Sequence, residues 1–205
     1  MRKQPRQERS RQMVERIVAA GRSVLARDGY ARFVTTRVAD EAGISPGSLY
    51  QYFSNKDELL AVLMERYWAE TGDRVTAALA DRLTEPPERL IPNAVEALLS
   101  ALEHDSQLLR VVTEEVPPRY SEVHLHALRR RIQDLGSAYL AGRAPGERSG
   151  ATRSWVLVAA MEALSVRWVL ERPAIRREEL VEELTALATN YMAGSARSPR
   201  PASSA

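Results

Sequence analysis

Apolar residues in this chain recur three and four positions apart nearly everywhere, and sustained strand alternation is nearly absent. That spacing lines one side of a helix and gives a strand no consistent face. Leu90, Ile91, Ala94, Val95, Leu98, Leu99 and Leu102 form the most regular stripe. Val14, Ile17, Val18, Gly21, Val24 and Leu25 form another, closed by Asp28-Gly29. Further stripes run through Leu59, Leu60, Leu63 and Tyr67, through Leu128, Ile132, Leu135 and Tyr139, and through Leu180, Leu184, Leu187 and Tyr191. Pro86-Pro87, Pro117-Pro118 and the Gly- and Pro-bearing stretch 141–150 interrupt the periodicity. The expected fold class is all-α, with about nine helices.

Two short helices fall between the first stripe and the third. Thr35 or Thr36 can cap a helix carrying Val38, Ala39 and Ala42, which Gly43 would end. Ser45 is a good N-cap and Pro46 suits the first helical position of the next. Ser54 and Asp57 have capping-box spacing and predict the start of a long fourth helix. Helix, tight turn at Gly43-Ile44-Ser45, helix is the spacing of a helix-turn-helix, although many helical hairpins look similar. On the second of these helices Leu49 and Phe53 share one side, flanked by Pro46 and Tyr50, and suit burial. Gly47, Ser48, Gln51 and Tyr52 share the other, a small, uncharged, hydrogen-bonding surface for a polar partner.

Charge is uneven along the chain. Residues 1–37 carry 10 Lys and Arg against 3 Asp and Glu, whereas the whole 205-residue chain nets only +2. A basic first segment on a mildly acidic body points to a polyanion at one end, or to an ordinary solvated helix face. Cysteine is absent, so disulfides and thiolate metal sites are excluded. No apolar run approaches the roughly 20 residues of a membrane span, and the charged start does not resemble a signal peptide. A cytoplasmic, soluble protein with no membrane partner is expected.

The run from Arg16 to Leu63 is more specific than its helices alone. "DGY" at 28–30, "VADEAGIS" at 38–45, "GSLYQYF" at 47–53 and "NKDELL" at 55–60 follow without a gap. Together they closely resemble the N-terminal DNA-binding domain of the TetR family of transcriptional regulators. Phe33-Val34 departs from the small or hydroxyl residues of many members. The resemblance implies that the third helix enters the major groove. Gly47 would let the backbone come close, and Ser45, Pro46, Ser48, Gln51 and Tyr52 would face bases and phosphates. Tyr50, Thr35, Thr36 and Lys56 match positions that hold phosphates, and Arg37 is an alternative base reader. Arg2, Lys3 and Arg6 would form a flexible basic arm. The implied domains are 1–56 for DNA binding and 57–193 for ligand binding and dimerisation, with 194–205 a disordered tail.

The remainder matches the family only in helix count and length. "WVLVAAMEALSVRWVL" at 155–170 holds 13 apolar residues of 16, so it needs cover on several sides. A second subunit is one such cover, and a central place in a large monomeric domain is the other. The dimer is favoured because helix-turn-helix proteins read two half-sites. Its interface candidates are Trp155, Ala159, Glu162, Ala163, Val166, Leu180, Leu184, Leu187 and Tyr191. The family also encloses a small-molecule pocket. The candidate lining residues are Met64, Tyr67, Trp68, Leu98, Leu102, Tyr120, His124, Tyr139, Met161 and Trp168, each of which suits an ordinary core equally well.

No catalytic motif, phosphate loop or metal-binding set stands out. His124 and His126 diverge on a helix and make a poor metal pair. No cofactor and no enzymatic activity are expected. The reading is a homodimeric transcriptional repressor, released from a palindromic operator by a small molecule. A DNA-binding regulator without a small ligand, partner-controlled or activating, is the second reading. An α-helical enzyme or carrier is the third.

Overall fold

The computed structural model describes residues 4–80, 82–142 and 150–193. Among them are nine α-helices and no strand. They are α1 (Gln4–Asp28), α2 (Thr35–Ala42), α3 (Pro46–Tyr50), α4 (Lys56–Ala80), α5 (Pro87–Glu103), α6 (Ser106–Glu114), α7 (Glu122–Ala141), α8 (Gly150–Glu171) and α9 (Arg177–Ala193). Short 3-10 turns at Tyr30–Arg32 and Pro118–Tyr120 precede α2 and α7. No described helix is long and apolar enough to cross a membrane. Arg2, Lys3 and the tail 194–205 lie outside the described residues, and the backbone of Arg6 is already helical.

The chain divides into two compact units, residues 1–72 with 104–128, and residues 73–103 with 129–205. The first 56 residues are thus part of a larger unit that also takes in the start of α4 and all of α6.

In the first unit the α1 stripe is the centre of the core. Ile17, Val24 and Leu25 are fully buried with Phe33, Val38, Leu49, Leu59 and Leu60. Each such side chain contributes roughly 1.5–3 kcal/mol relative to exposure. Phe33, the departure from the family pattern, is one of the largest fully buried residues. The carboxylates of Glu70 and Asp105 hold Arg22 of α1, at 2.7 and 2.9 Å. Partial burial opposes the charge on Arg22, yet these partners keep its pKa above the ordinary value.

In the second unit α5 packs on α8 and α9. One cluster joins Val75, Leu79, Leu90, Ala101 and Tyr139, with Leu98 and Ile132 against it. Another joins Ile91, Val95, Leu99, Leu184 and Ala188, with Met161, Trp168 and Leu180 against it. Arg129 and Glu162 form a two-point pair at 2.8 and 2.6 Å.

Candidate nucleic-acid interface

Local chemistry sets α2 and α3 against each other. Gly43 ends α2 with φ of 63°, a left-handed conformation that disfavours other residues. Its N–H donates to Asp40 at 3.0 Å, and that of Ile44 to Ala39 at 3.0 Å. Arg16 of α1 donates to the Gly43 carbonyl at 3.3 Å. Two residues on, the Ser45 Oγ accepts from the Ser48 N–H at 3.1 Å, and Pro46 opens the helix as its spacing predicts.

Two capping expectations are corrected. Neither Thr35 nor Thr36 caps α2: Val34 is the N-cap, and no side chain satisfies it. The Thr35 hydroxyl instead lies 3.0 Å from that of Tyr50. The capping box of α4 is shifted by one residue from Ser54 and Asp57. Asn55 accepts from the Glu58 N–H at 2.8 Å, and Glu58 accepts from the Ser54 N–H and hydroxyl at 2.7 Å each. Those Ser54 bonds hold the Glu58 carboxyl below its ordinary pKa.

The residues expected on DNA differ in exposure and in their partners. Leu49 is fully buried beneath α3, while Ser45, Pro46, Gly47, Tyr50 and Gln51 are exposed and Ser48 and Tyr52 half-buried. A side chain on Gly47 would meet only the Ser45 Oγ, at 3.9 Å, so nothing in the described fold demands glycine there. Thr36 is exposed and Thr35 half-buried. Arg37 is exposed but tied to Asp28 at 3.0 Å. Asp28 also binds Arg27, the main cause of its depressed pKa, and Arg27 reaches Glu41 at 2.9 Å. Lys56 is half-buried, its ammonium 4.0 Å above the Tyr30 ring and 3.3 Å from the Tyr30 carbonyl. Composition gave no sign of these ion pairs. The alternating charges of Arg27, Asp28, Arg37 and Glu41 are the only trace of them in the sequence.

The candidate ligand residues divide between the units. Met64, Tyr67, Trp68, Tyr120 and His124 are in the first, and Leu98, Leu102, Tyr139, Met161 and Trp168 in the second. Met64 and Tyr67 line a cleft of about 150 Å³ with Val18, Leu25, Leu63 and Leu108, rimmed by Glu15, Arg22, Arg66 and Glu70. The Tyr67 and Trp68 rings meet edge-on at 4.9 Å, and burial pushes the Tyr67 phenol well above its ordinary pKa. The Trp68 indole N–H is buried without a hydrogen-bond partner among the described residues. In the second unit Leu98 and Tyr139 share one cluster, and Met161 and Trp168 share the other. Tyr139 donates to the Glu85 carbonyl at 3.1 Å, and Trp168 to the Ile175 carbonyl at 3.1 Å.

Of the interface candidates, Trp155, Ala163, Leu187 and Tyr191 are exposed, and Ala159, Glu162, Val166 and Leu180 are half-buried. Leu184 differs from the others in burial. It is 3% exposed because α5 and α8 residues of its own unit cover it.

Three N-terminal helices, a glycine turn and an exposed polar α3 define a helix-turn-helix protein. Residues 17–63 match the family described as bacterial regulatory proteins, tetR family, and residues 86–192 match the tetracyclin repressor-like C-terminal domain. The chain belongs to the TetR family. It is 36% identical over 110 residues to the HTH-type transcriptional activator FasR of Mycolicibacterium smegmatis, covering 54% of this chain and 48% of FasR. The chain thus spans about half the length of the curated relatives it matches. A transcriptional regulator from Rhodococcus sp. Rha1 superposes with a TM-score of 0.69 at 24% identity, over 88% of this chain and 96% of the other. The regulator FadR of Bacillus subtilis, solved in complex with stearoyl-CoA, superposes with a TM-score of 0.65 at 16% identity, over 88% and 98%. These likenesses to solved structures establish the fold.

Proposed function

We propose that the chain is a sequence-specific DNA-binding transcriptional regulator, acting as a homodimer on a palindromic operator and released by a small molecule. The outward face of α3 carries this reading. Gly47 and Tyr50 of α3, with its caps Ser45 and Gln51, are exposed over a buried Leu49, and a side chain at Gly47 would meet only the Ser45 Oγ at ordinary contact distance. Hydroxyls suit phosphate oxygens, and Gln51 suits an adenine edge. The exposed apolar residues Trp155, Leu164, Leu187 and Tyr191 on α8 and α9 support a second copy as partner. A dimer would present two α3 helices to half-sites about 34–36 Å apart.

α4 follows the turn after α3 and supplies residues to both units, so it offers a route from effector to DNA. An effector that favours the non-binding form lowers DNA affinity, and DNA lowers effector affinity by the same factor. Stearoyl-CoA is the first compound to try, because it is bound by the structurally similar Bacillus subtilis FadR. Repression is the main reading. The similarity to FasR, an activator by name, favours activation as a second.

The deciding experiment selects binding sequences from a random duplex pool and footprints the enriched sites. A protected palindrome is expected, and no enrichment over bulk DNA would sink the reading. A reporter driven by that site then separates repression from activation.

A further inference from the structure

The turn between α1 and α2 is tied to a carboxylate 85 residues away. Glu115 is the C-cap of α6, its own N–H bonded to the Val111 carbonyl at 2.9 Å. Its Oε2 accepts from the Tyr30 N–H at 2.8 Å. Tyr30 opens the short 3-10 turn, so its N–H has no partner within that turn. Gly29, just before it, has φ of 78° and ψ of 171°, a region essentially reserved for glycine. A side chain at Gly29 would also stand 2.7 Å from the Glu115 Oε2. This turn is therefore shaped to bring its N–H onto the carboxylate.

The carbonyl and the ring of Tyr30 are engaged by Lys56. The Lys56 ammonium donates to the Tyr30 carbonyl at 3.3 Å and sits 4.0 Å above the Tyr30 ring. Lys56 is the first residue of α4, which follows the α3 turn. On the other side, the turn leads through the fully buried Phe33 to Val34, the N-cap of α2. One backbone turn thus contacts the first residue of α4 and leads into the N-cap of α2, the two helices that flank α3. The far end of α6 is also tied to α1, through Asp105 and Arg22 at 2.9 Å.

We propose that Glu115 is a positioning residue for DNA binding: its carboxylate fixes the Gly29–Tyr30 turn, and through it the α2 and α4 ends that frame α3. This rests on the DNA-binding reading above. Glu115 itself touches no nucleic acid in this scheme. Because it caps α6, it reports the placement of that helix to the reading head.

The test compares the full-length protein with Glu115→Ala and Glu115→Gln, using the selected duplex as probe. Operator affinity should fall about tenfold in Glu115→Ala, the scale of a lost charge-assisted hydrogen bond. Glu115→Gln keeps an acceptor oxygen and should lose only about threefold, since neutral bonds are roughly half as strong. Amide exchange at Tyr30, followed by NMR, should accelerate in Glu115→Ala more than exchange elsewhere in α1 and α4, with only a few degrees lost from the thermal midpoint. Unchanged Tyr30 exchange, or unchanged affinity with accelerated exchange, would overturn the proposal. A glutamine variant as weak as the alanine one would overturn its hydrogen-bond basis. Wild-type protein that binds no duplex would instead sink the DNA-binding reading, so the two failures are distinguishable.

Discussion

The hydroxyls of Thr35 and Tyr50 lie 3.0 Å apart and join the first residue of α2 to the last of α3. Tyr50 is 52% exposed, so the bond does not bury it. A phenol oxygen has one proton and two acceptor sites, so one bond leaves capacity for another partner. The pair is a preformed two-hydroxyl surface at the junction of the two helices.

Tyr50→Phe should therefore weaken binding on every duplex alike, by about tenfold if a phosphate hydrogen bond is lost. Thr35→Val should do the same to a smaller extent, by freeing the Tyr50 ring. Titrations on the selected operator and on a scrambled duplex check this. A loss confined to the operator would make Tyr50 a base reader instead.

Gln51 is the exposed C-cap of α3, directly after Tyr50. Gln51→Ala should relax preference at one base position by about 1–3 kcal/mol if the contact is bidentate. Selection from the random pool should then show one degenerate position in each half-site. An unchanged profile at all positions would remove Gln51 from the readers.

The start of α3 was legible because its determinants are local: Gly43, Ser45 and Pro46 act within a few residues of one another. The α4 cap was displaced by one because Ser54 with Asp57 and Asn55 with Glu58 have the same spacing. Glu58 reaching back to Ser54 decides between them. Partners of Arg37, Lys56 and Tyr30 lie 9, 26 and 85 residues away, and no local pattern encodes such meetings. Leu184 and Leu187 occupy one sequence stripe, yet Leu184 is 3% and Leu187 46% exposed. Periodicity gives a helix its apolar side, but the neighbouring helices decide which edge of that side is covered.

Glu58 supplies a pH test of the α4 cap. Its pKa is lowered from 4.5, chiefly by the Ser54 hydroxyl and then by the Ser54 N–H. A depressed carboxyl contributes stability above its unfolded pKa and loses it as pH falls through the folded value. Glu58→Gln should therefore have a lower thermal midpoint than wild type at neutral pH. The gap should close as pH drops below 4.5, the value from which the carboxyl is displaced. A gap that persists undiminished in acid would show that the Glu58 charge does not stabilise the cap.

Assembly is tested on α8. Trp155 is 58% and Leu164 42% exposed, and α9 adds Leu187 at 46% and Tyr191 at 38%. Apolar side chains this large, left outward on two neighbouring helices, favour cover by another surface. Ala163, also exposed, lies on α8 beside Leu164. Ala163→Glu should leave the protomer folded, because the new carboxylate meets water there. In a dimer it would be buried without a partner, at a cost of several kcal/mol. Sedimentation at micromolar concentration should show a wild-type dimer and a monomeric Ala163→Glu with an unchanged helical signal. The variant should also lose the palindrome while keeping weak binding to a single half-site, since each α3 is untouched. A wild-type protein that sediments as a monomer and still binds the palindrome tightly would remove the second copy from the proposal.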